Sequence, residues 1–397
     1  MKSGKIVFPL IIFSIFNFQT SIAATTNVSG FLTAGTTYSD NETPYLRSGI
    51  TDDQPTFDQD TVLGIQLDSV LDPTTRLSAQ LIASNKEGND FDVNAEWLYV
   101  SKNIGSYTTA RMGRLRIPIH LYSEQLFVGA SYVWLRPPQE VYNLLADISN
   151  FTGADVRFTL DMDVGSAYLQ LYAGNVNDKP LNILGQKADI STDQLFGVVG
   201  RFDTDDLSLF LSYSRLDGLI ESSFDVIVPA PGPPPNLAIV NVPLNIESNS
   251  EVVTLGFKYA IGNFEMFGEH AERISDDAGD TTGWYGTLAY NMNSWTPYLT
   301  LGQMDTGTVD PTSQLAGLVL LQGLPIQSLQ QDSESITFGI RKSLSPKVSL
   351  NAEVHKGEAR HGAKGLFISY IPSATSVTPE QAEPEVLLFS IAVNALF

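Results

Sequence analysis

The chain has 397 residues, 43% hydrophobic, 10% aromatic and only 17% charged, with 31 Gly, 21 Pro and no Cys. Soluble proteins carry about 25% charged residues, and the missing cysteines exclude a disulfide scaffold, a cysteine nucleophile and thiolate-ligated metal centres. Acids outnumber bases 44 to 23, a formal net charge of −21, which excludes generic nucleic-acid binding.

The first element is a leader. Lys2 and Lys5 precede an apolar run from Val7 to Phe18, and Gln19-Thr20-Ser21 then leads into Ile22-Ala23-Ala24. The apolar part falls short of the ~20 residues that span a bilayer. A basic start, a short apolar core and small residues at the end read as a cleaved secretory signal peptide over 1–24. The mature domain is then 25–397.

From there the chain reads as strands. Leu63, Ile65 and Leu67 alternate with Gly64, Gln66 and Asp68, and the same period of two returns through Leu77–Ala83, Ala154–Leu160, Leu207–Tyr213 and Val348–Val354. Extending the rule gives strands at 27–38, 60–71, 75–85, 91–101, 106–114, 153–161, 166–174 and 194–203, then at 206–216, 251–260, 264–272, 282–290, 296–304, 334–342, 347–356 and 386–397. The connections alternate. Residues 39–59, 115–152, 175–193, 217–250, 305–333 and 357–385 are long, while turns such as Asp72–Thr74 and Ile261–Asn263 are short. A soluble sandwich has no reason to gather its long loops at one end, whereas an outer-membrane barrel does. The fold class is therefore all-β, a transmembrane antiparallel β-barrel of about sixteen strands, wide enough to hold a water-filled lumen. Aromatics near strand ends (Tyr38, Trp97, Tyr99, Tyr107, Phe202, Tyr213, Tyr259, Trp284, Tyr290, Trp295 and Tyr298) read as interfacial girdles.

In the last strand Leu387, Phe389, Ile391, Val393, Ala395 and Phe397 share one face. The terminal Phe397 resembles the C-terminal signal of bacterial outer-membrane proteins that the barrel-assembly machinery reads. The stretch Gly113-Arg114-Leu115-Arg116-Ile117-Pro118, with Ser123-Glu124 and Arg136-Pro137-Pro138-Gln139-Glu140-Val141-Tyr142, resembles the post-strand-5 region of Gram-negative porins of the phosphate-selective and general type. The resemblance covers about thirty residues closely and the remainder only as pattern. It implies a sixteen-stranded trimeric barrel in the outer membrane, with residues 115–152 folded inward as a constriction loop. It also implies passive diffusion of small hydrophilic solutes and ions, with outer-membrane lipid and lipopolysaccharide as surroundings. No cofactor is implied.

Within that loop Pro137-Pro138 suits a helix start, Glu140 favours its first turn, and Val141, Leu144 and Leu145 make one apolar face. Residues 106–157 hold five bases and four acids, near neutrality in a strongly acidic chain. The candidate constriction set is Arg111, Arg114, Arg116, Arg136 and Arg157 opposite Glu124, Glu140 and Asp147. These charges either set a field across the narrow point or pair to hold the loop, and the two readings are compatible. The loop has no Lys, which argues against phosphate selectivity and for a general or weakly selective pore. Acids in the first outer loop, Asp40, Glu42, Asp52, Asp53 and Asp58, read as a solvated surface or as oxygen ligands for divalent cations. The histidines His120, His270, His355 and His361 lack metal-ligand spacing, and neither a nucleophile elbow nor a phosphate loop occurs. A channel is thus expected and an enzyme is not. The alternatives are an anion- or dicarboxylate-specific channel and, further off, a barrel enzyme or adhesin.

Overall fold

Period-two alternation becomes sixteen antiparallel strands: β1 (Thr25–Ser39), β2 (Val62–Asp72), β3 (Thr75–Asn85), β4 (Phe91–Ile104), β5 (Thr108–Arg116), β6 (Asn150–Met162), β7 (Gly165–Ile183) and β8 (Gln186–Asp203), followed by β9 (Leu207–Pro229), β10 (Leu237–Ile261), β11 (Phe264–Ser275), β12 (Thr281–Tyr290), β13 (Trp295–Thr306), β14 (Ser333–Ser345), β15 (Val348–Ala359) and β16 (Glu385–Leu396). The structure is a computed structural model that describes residues 25–46, 50–85, 91–145, 148–183, 186–229, 237–276, 279–321, 325–367 and 384–397. The expected signal peptide over 1–24 lies outside these residues.

Each strand pairs with its sequence neighbour, and β1 pairs with both β2 and β16, which closes the barrel. The closing seam runs from Phe31 opposite Leu396 to Ser39 opposite Leu388. Closure leaves no open sheet edge in the wall, as hydrocarbon surroundings require. The two faces of the wall differ as the alternation predicts. On β9, Leu209 and Leu211 stand outward, about half exposed at 46% and 51%, while Phe210 between them is buried at 5%. Leu255, Phe257, Phe338 and Ile391 continue the outward apolar band.

Two differences from the sequence reading have physical causes. The expected loops 175–193 and 217–250 are largely ladder instead. Strands β7 and β8 stay paired as far as Ile183 opposite Gln186, and β9 and β10 as far as Pro229 opposite Leu237. In the upper part of β10 the period-two signature continues, as Val240, Val242, Leu244 and Ile246 against Asn241, Pro243, Asn245 and Glu247, and the prolines at 229, 231, 233–235 and 243 make the stretch read as a loop. Among the aromatics, Tyr259, Trp284 and Trp295 stand outward, but Tyr298 is buried on the inner face and its hydroxyl donates to Glu353 at 2.6 Å. Tyr99 lies beneath Arg111 and Trp97 packs against Tyr99, so these also turn into the lumen. Proximity to a strand end does not fix parity.

The α-helices of the described residues are α1 (Gln139–Tyr142), which begins after Pro138, and α2 (Gln314–Leu321) in the outer connection between β13 and β14. At the seam, Phe397 donates to the Gly30 carbonyl at 3.0 Å and Gly30 donates back at 2.9 Å, while the Phe397 ring covers Gly30 where a side chain would stand. Deleting Phe397 removes both bonds and the ring. The amount of heat-modifiable barrel in outer-membrane fractions is expected to fall strongly, and unchanged levels would show that the terminal aromatic is not an assembly signal.

Candidate functional site: the inward segment and its charges

Residues 117–145 leave the wall after β5 and cross the lumen against the far strands, and the chain rejoins the wall at β6. The segment is sewn there by polar side chains from the inner face. Ser212 of β9 donates to the Ile119 carbonyl at 2.6 Å. Glu269 of β11 accepts from the Leu121 backbone at 2.8 Å, from Tyr142 at 2.5 Å and from Tyr285 at 2.7 Å. Glu353 of β15 accepts from the Leu135 backbone at 2.6 Å, and Asn351 donates to the Val133 carbonyl at 2.8 Å. Arg341 of β14 donates to the carbonyls of Ala130 and Tyr132. An irregular segment inside a barrel must find partners for its backbone groups, and these wall residues supply them.

Apolar packing adds to this seam. Trp134 is 1% exposed, edge-on to Phe267, Tyr285 and Tyr122 with ring centroids 5.4–5.5 Å apart, and its Nε1 donates to Thr287 and Thr300. Val141 and Leu144 are buried, as an apolar helix face requires, although α1 lasts only one turn. Burial pushes the His120 imidazole down to about 3, so it adds no charge near neutral pH.

The predicted charged residues that the structure describes separate into five places. Arg111 and Arg157 meet Glu124 on the lumen side of β5 and β6. Arg111 forks onto Asp155, with Nη2 to Oδ2 at 2.6 Å and Nε to Oδ1 at 2.9 Å, and its Nη2 also reaches Glu124 Oε1 at 3.1 Å. Arg157 Nη2 reaches the same Glu124 oxygen at 3.1 Å and donates to Gln170 at 2.8 Å, and Gln170 donates to Asp155 at 2.8 Å. The guanidinium of Arg157 lies 4.4 Å above the Tyr168 ring and that of Arg111 lies 5.4 Å from Tyr99. Burial would raise the Glu124 carboxyl, but Arg111 and Arg157 outweigh it and hold it below the usual carboxylate range.

Arg136 reaches a second place, pairing with Asp60 at 3.2 Å and donating to Thr37 and Ser390 on the β1–β16 seam. Arg116 occupies a third, buried against Glu96 at 3.2 Å with its guanidinium 4.6 Å from the Phe127 ring. Glu140 takes a fourth, buried against Ser335 of β14. Arg114 faces the other way, because its register partners Leu98 and Thr152 stand exposed on the outer wall. Parity explains this: Arg114 shares a face with outward Met112, whereas Arg111 does not. Asp147 lies outside the described residues.

Several members of the site escaped the sequence reading. Asp155, counted among the acids of 106–157 but not placed in the candidate set, and Gln170 complete the arginine cluster, and Glu269 and Glu353 hold the inward segment. Arg201 of β8 adds an inner-wall cation, paired with Asp203 at 2.8 Å. Strand parity was the available signal, since Val199, Arg201 and Asp203 alternate with Val198, Gly200 and Phe202.

At the long-connection end, ligand atoms of Asp305, Asp332 and His361 lie within 4.8 Å of one another, a set whose chemistry could hold a metal ion. It is self-sufficient as a loop anchor. Asp332 already accepts from the Thr306 backbone at 2.7 Å and contacts His361 at 3.0 Å, with Arg360 4.0 Å from Asp305.

The model of the Gram-negative porin family matches residues 18–362. None of the curated protein sequences matches the chain. Among solved structures, the chain is similar to the outer-membrane channel DcaP of Acinetobacter baumannii, at 11% identity and a TM-score of 0.57, over 96% of this chain and 99% of that one. It is similar to an anion-selective porin from Comamonas acidovorans at 14% identity and a TM-score of 0.55, over 94% and 100%. It is also similar to in-vitro folded OmpT of Vibrio cholerae in its trimer form at 12% identity and a TM-score of 0.52, over 95% and 100%. A family match over most of the length and a closed sixteen-stranded barrel identify the chain as a member of the Gram-negative porins, an outer-membrane channel through which small solutes diffuse.

Proposed function

We propose that segment 117–149 forms the constriction of this channel and that Arg111, Arg157, Glu124 and Asp155 are its charge filter. The observation that carries this reading is the shared Glu124 oxygen, which accepts from both arginines at 3.1 Å. Two guanidinium groups and two carboxylates cancel, so the narrow region carries structure in its field but little net charge. That favours a general or weakly selective pore for small hydrophilic solutes over a phosphate-selective one. In this reading the chain is a conduit and not an enzyme. The same cluster both holds the segment and shapes the field, because Glu124 belongs to the segment while its two partners belong to the wall.

Glu124→Gln leaves Arg157 without its carboxylate and the cluster with one net positive charge, since Arg111 stays on Asp155, and is expected to move the reversal potential under a salt gradient towards anions by a several-fold change in permeability ratio. Arg157→Gln is expected to move it towards cations. Both shifts should shrink between 0.1 M and 1 M salt, as the Debye length falls from ~10 Å to ~3 Å. Asp52→Asn with Asp53→Asn, in the wide outer loop, should change little. Unchanged selectivity in both cluster variants would place the filter elsewhere.

The reading extends to a homotrimer in lipid and lipopolysaccharide, inserted by the barrel-assembly machinery. The trimer form of the similar Vibrio protein and the position of Arg114 support it. A charged Arg or Lys facing lipid at mid-membrane costs roughly 2–4 kcal/mol, and the Arg114 Nε lacks a hydrogen-bond partner among the described residues. A neighbouring subunit over β4–β6 would shelter it. Arg114→Glu is then expected to convert trimer to monomer on native gels, and an unaltered trimer would refute this placement.

A further inference from the structure

Glu140 is a buried carboxyl that the charge filter does not use. It is 2% exposed and accepts a hydrogen bond from Ser335 of β14. Two glycines make its seat. A Cβ on Gly302 of β13 would stand 2.7 Å from the Glu140 carboxyl carbon, and one on Gly283 of β12 would collide with its backbone carbonyl. The one-turn helix α1 is therefore set into a notch cut across three strands, with a carboxyl at its deepest point.

That carboxyl has no counter-ion among the described residues. Arg136, four residues earlier, is committed to Asp60 at 3.2 Å. The charged and titratable groups near Glu140 are Tyr45 from the first outer connection, Glu353 and His355 from β15, and Arg136, which borders the same cavity with its guanidinium paired to Asp60. A cavity of about 30 Å³ bordered by Glu140, Ser335, Thr337, Glu353 and His355 adjoins the seat. It has room beside the carboxyl for a water molecule, which needs about 10–15 Å³. An isolated carboxylate in such a place would carry an uncompensated desolvation cost.

We infer that Glu140 is a proton-responsive positioning residue: the constriction segment is seated on β12–β14 while Glu140 is protonated and loosens when it ionises. This rests on the placing of segment 117–149 at the narrow part of the channel. The sign follows from linkage. Burial lifts the seated carboxyl above its ordinary range, and the Ser335 donor only partly offsets this. Seating is then fully favoured below the ordinary carboxylate range and is lost as pH rises through the seated value. Glu140→Gln keeps an acceptor for Ser335 and removes the titration. Ser335→Ala withdraws the donor that favours the ionised form, so its midpoint moves to higher pH.

The test is single-channel current in planar bilayers from about pH 5 to about pH 9, at about 1 M salt where the Debye length of ~3 Å mutes wall charges. Emission of Trp134, taken as the difference between the full-length protein and its Trp134→Phe variant in detergent, reads the same seat without current. Wild type is expected to show one reversible transition in both signals, with at least a twofold change in current fluctuations. Because Glu269 is a second buried carboxyl holding the segment, through Leu121 and Tyr142, the variants are read in a Glu269→Gln background. There Glu140→Gln is expected to be flat, Ser335→Ala shifted upward, and Glu353→Gln still to show the transition. A flat wild type, or a transition that survives Glu140→Gln in that background, overturns the inference. A pH transition in Trp134 emission with no effect on current would instead retain the seat and overturn the placing of the constriction.

Discussion

A backbone amide in hydrocarbon has only other backbone groups to bond, and this single demand organises the whole chain. It forces β1 onto β16, and sixteen strands so closed enclose a lumen too wide for wall side chains to fill. An inward segment can narrow that lumen only if its own backbone groups are satisfied, because it has no ladder. The wall meets that need with carboxylates, amides and guanidinium groups placed at inward parity: Glu269, Glu353, Asn351 and Arg341 are hydrogen-bond partners for a loop before they are charges.

How much of this was legible in the sequence depends on which solvent each residue meets. Where one strand face meets lipid and the other water, alternation is written into the chain, and all sixteen strands could be read from it. In the upper parts of β9 and β10 the ladder persists, but the prolines set among its alternating residues make a long hairpin read as a loop. The candidate site was legible in composition and only partly in placement. Arg111, Arg157 and Glu124 come together as three of the expected residues, and Arg136 and Glu140 sit on the inward segment as expected. Arg114 does not join them, because one step along a strand reverses the face. Glu269 and Glu353 were invisible as loop anchors, since their partners lie more than a hundred residues away in the chain.

The formal charge of −21 is a poor guide to the field a solute would meet. Asp53 stands exposed in the first outer connection, where water and salt screen its charge. In the arginine cluster each charge is matched within about 3 Å, and aromatic faces of Tyr99 and Tyr168 replace water on one side of each guanidinium. Local pairing, rather than the total, governs what such a wall does to a passing ion.

The stitching of the inward segment also imposes an order on folding. Leu135 bonds to Glu353, 218 residues later in the chain, and Arg136 bonds to Ser390, 254 residues later. Contacts of that sequence separation carry a large loop-closure entropy and form late. Several of the strands that hold the segment, from β11 to β15, follow it by more than a hundred residues, so much of the wall must be made before these bonds can form. The inward segment of this sequence is therefore seated late, after the strands that hold it have paired.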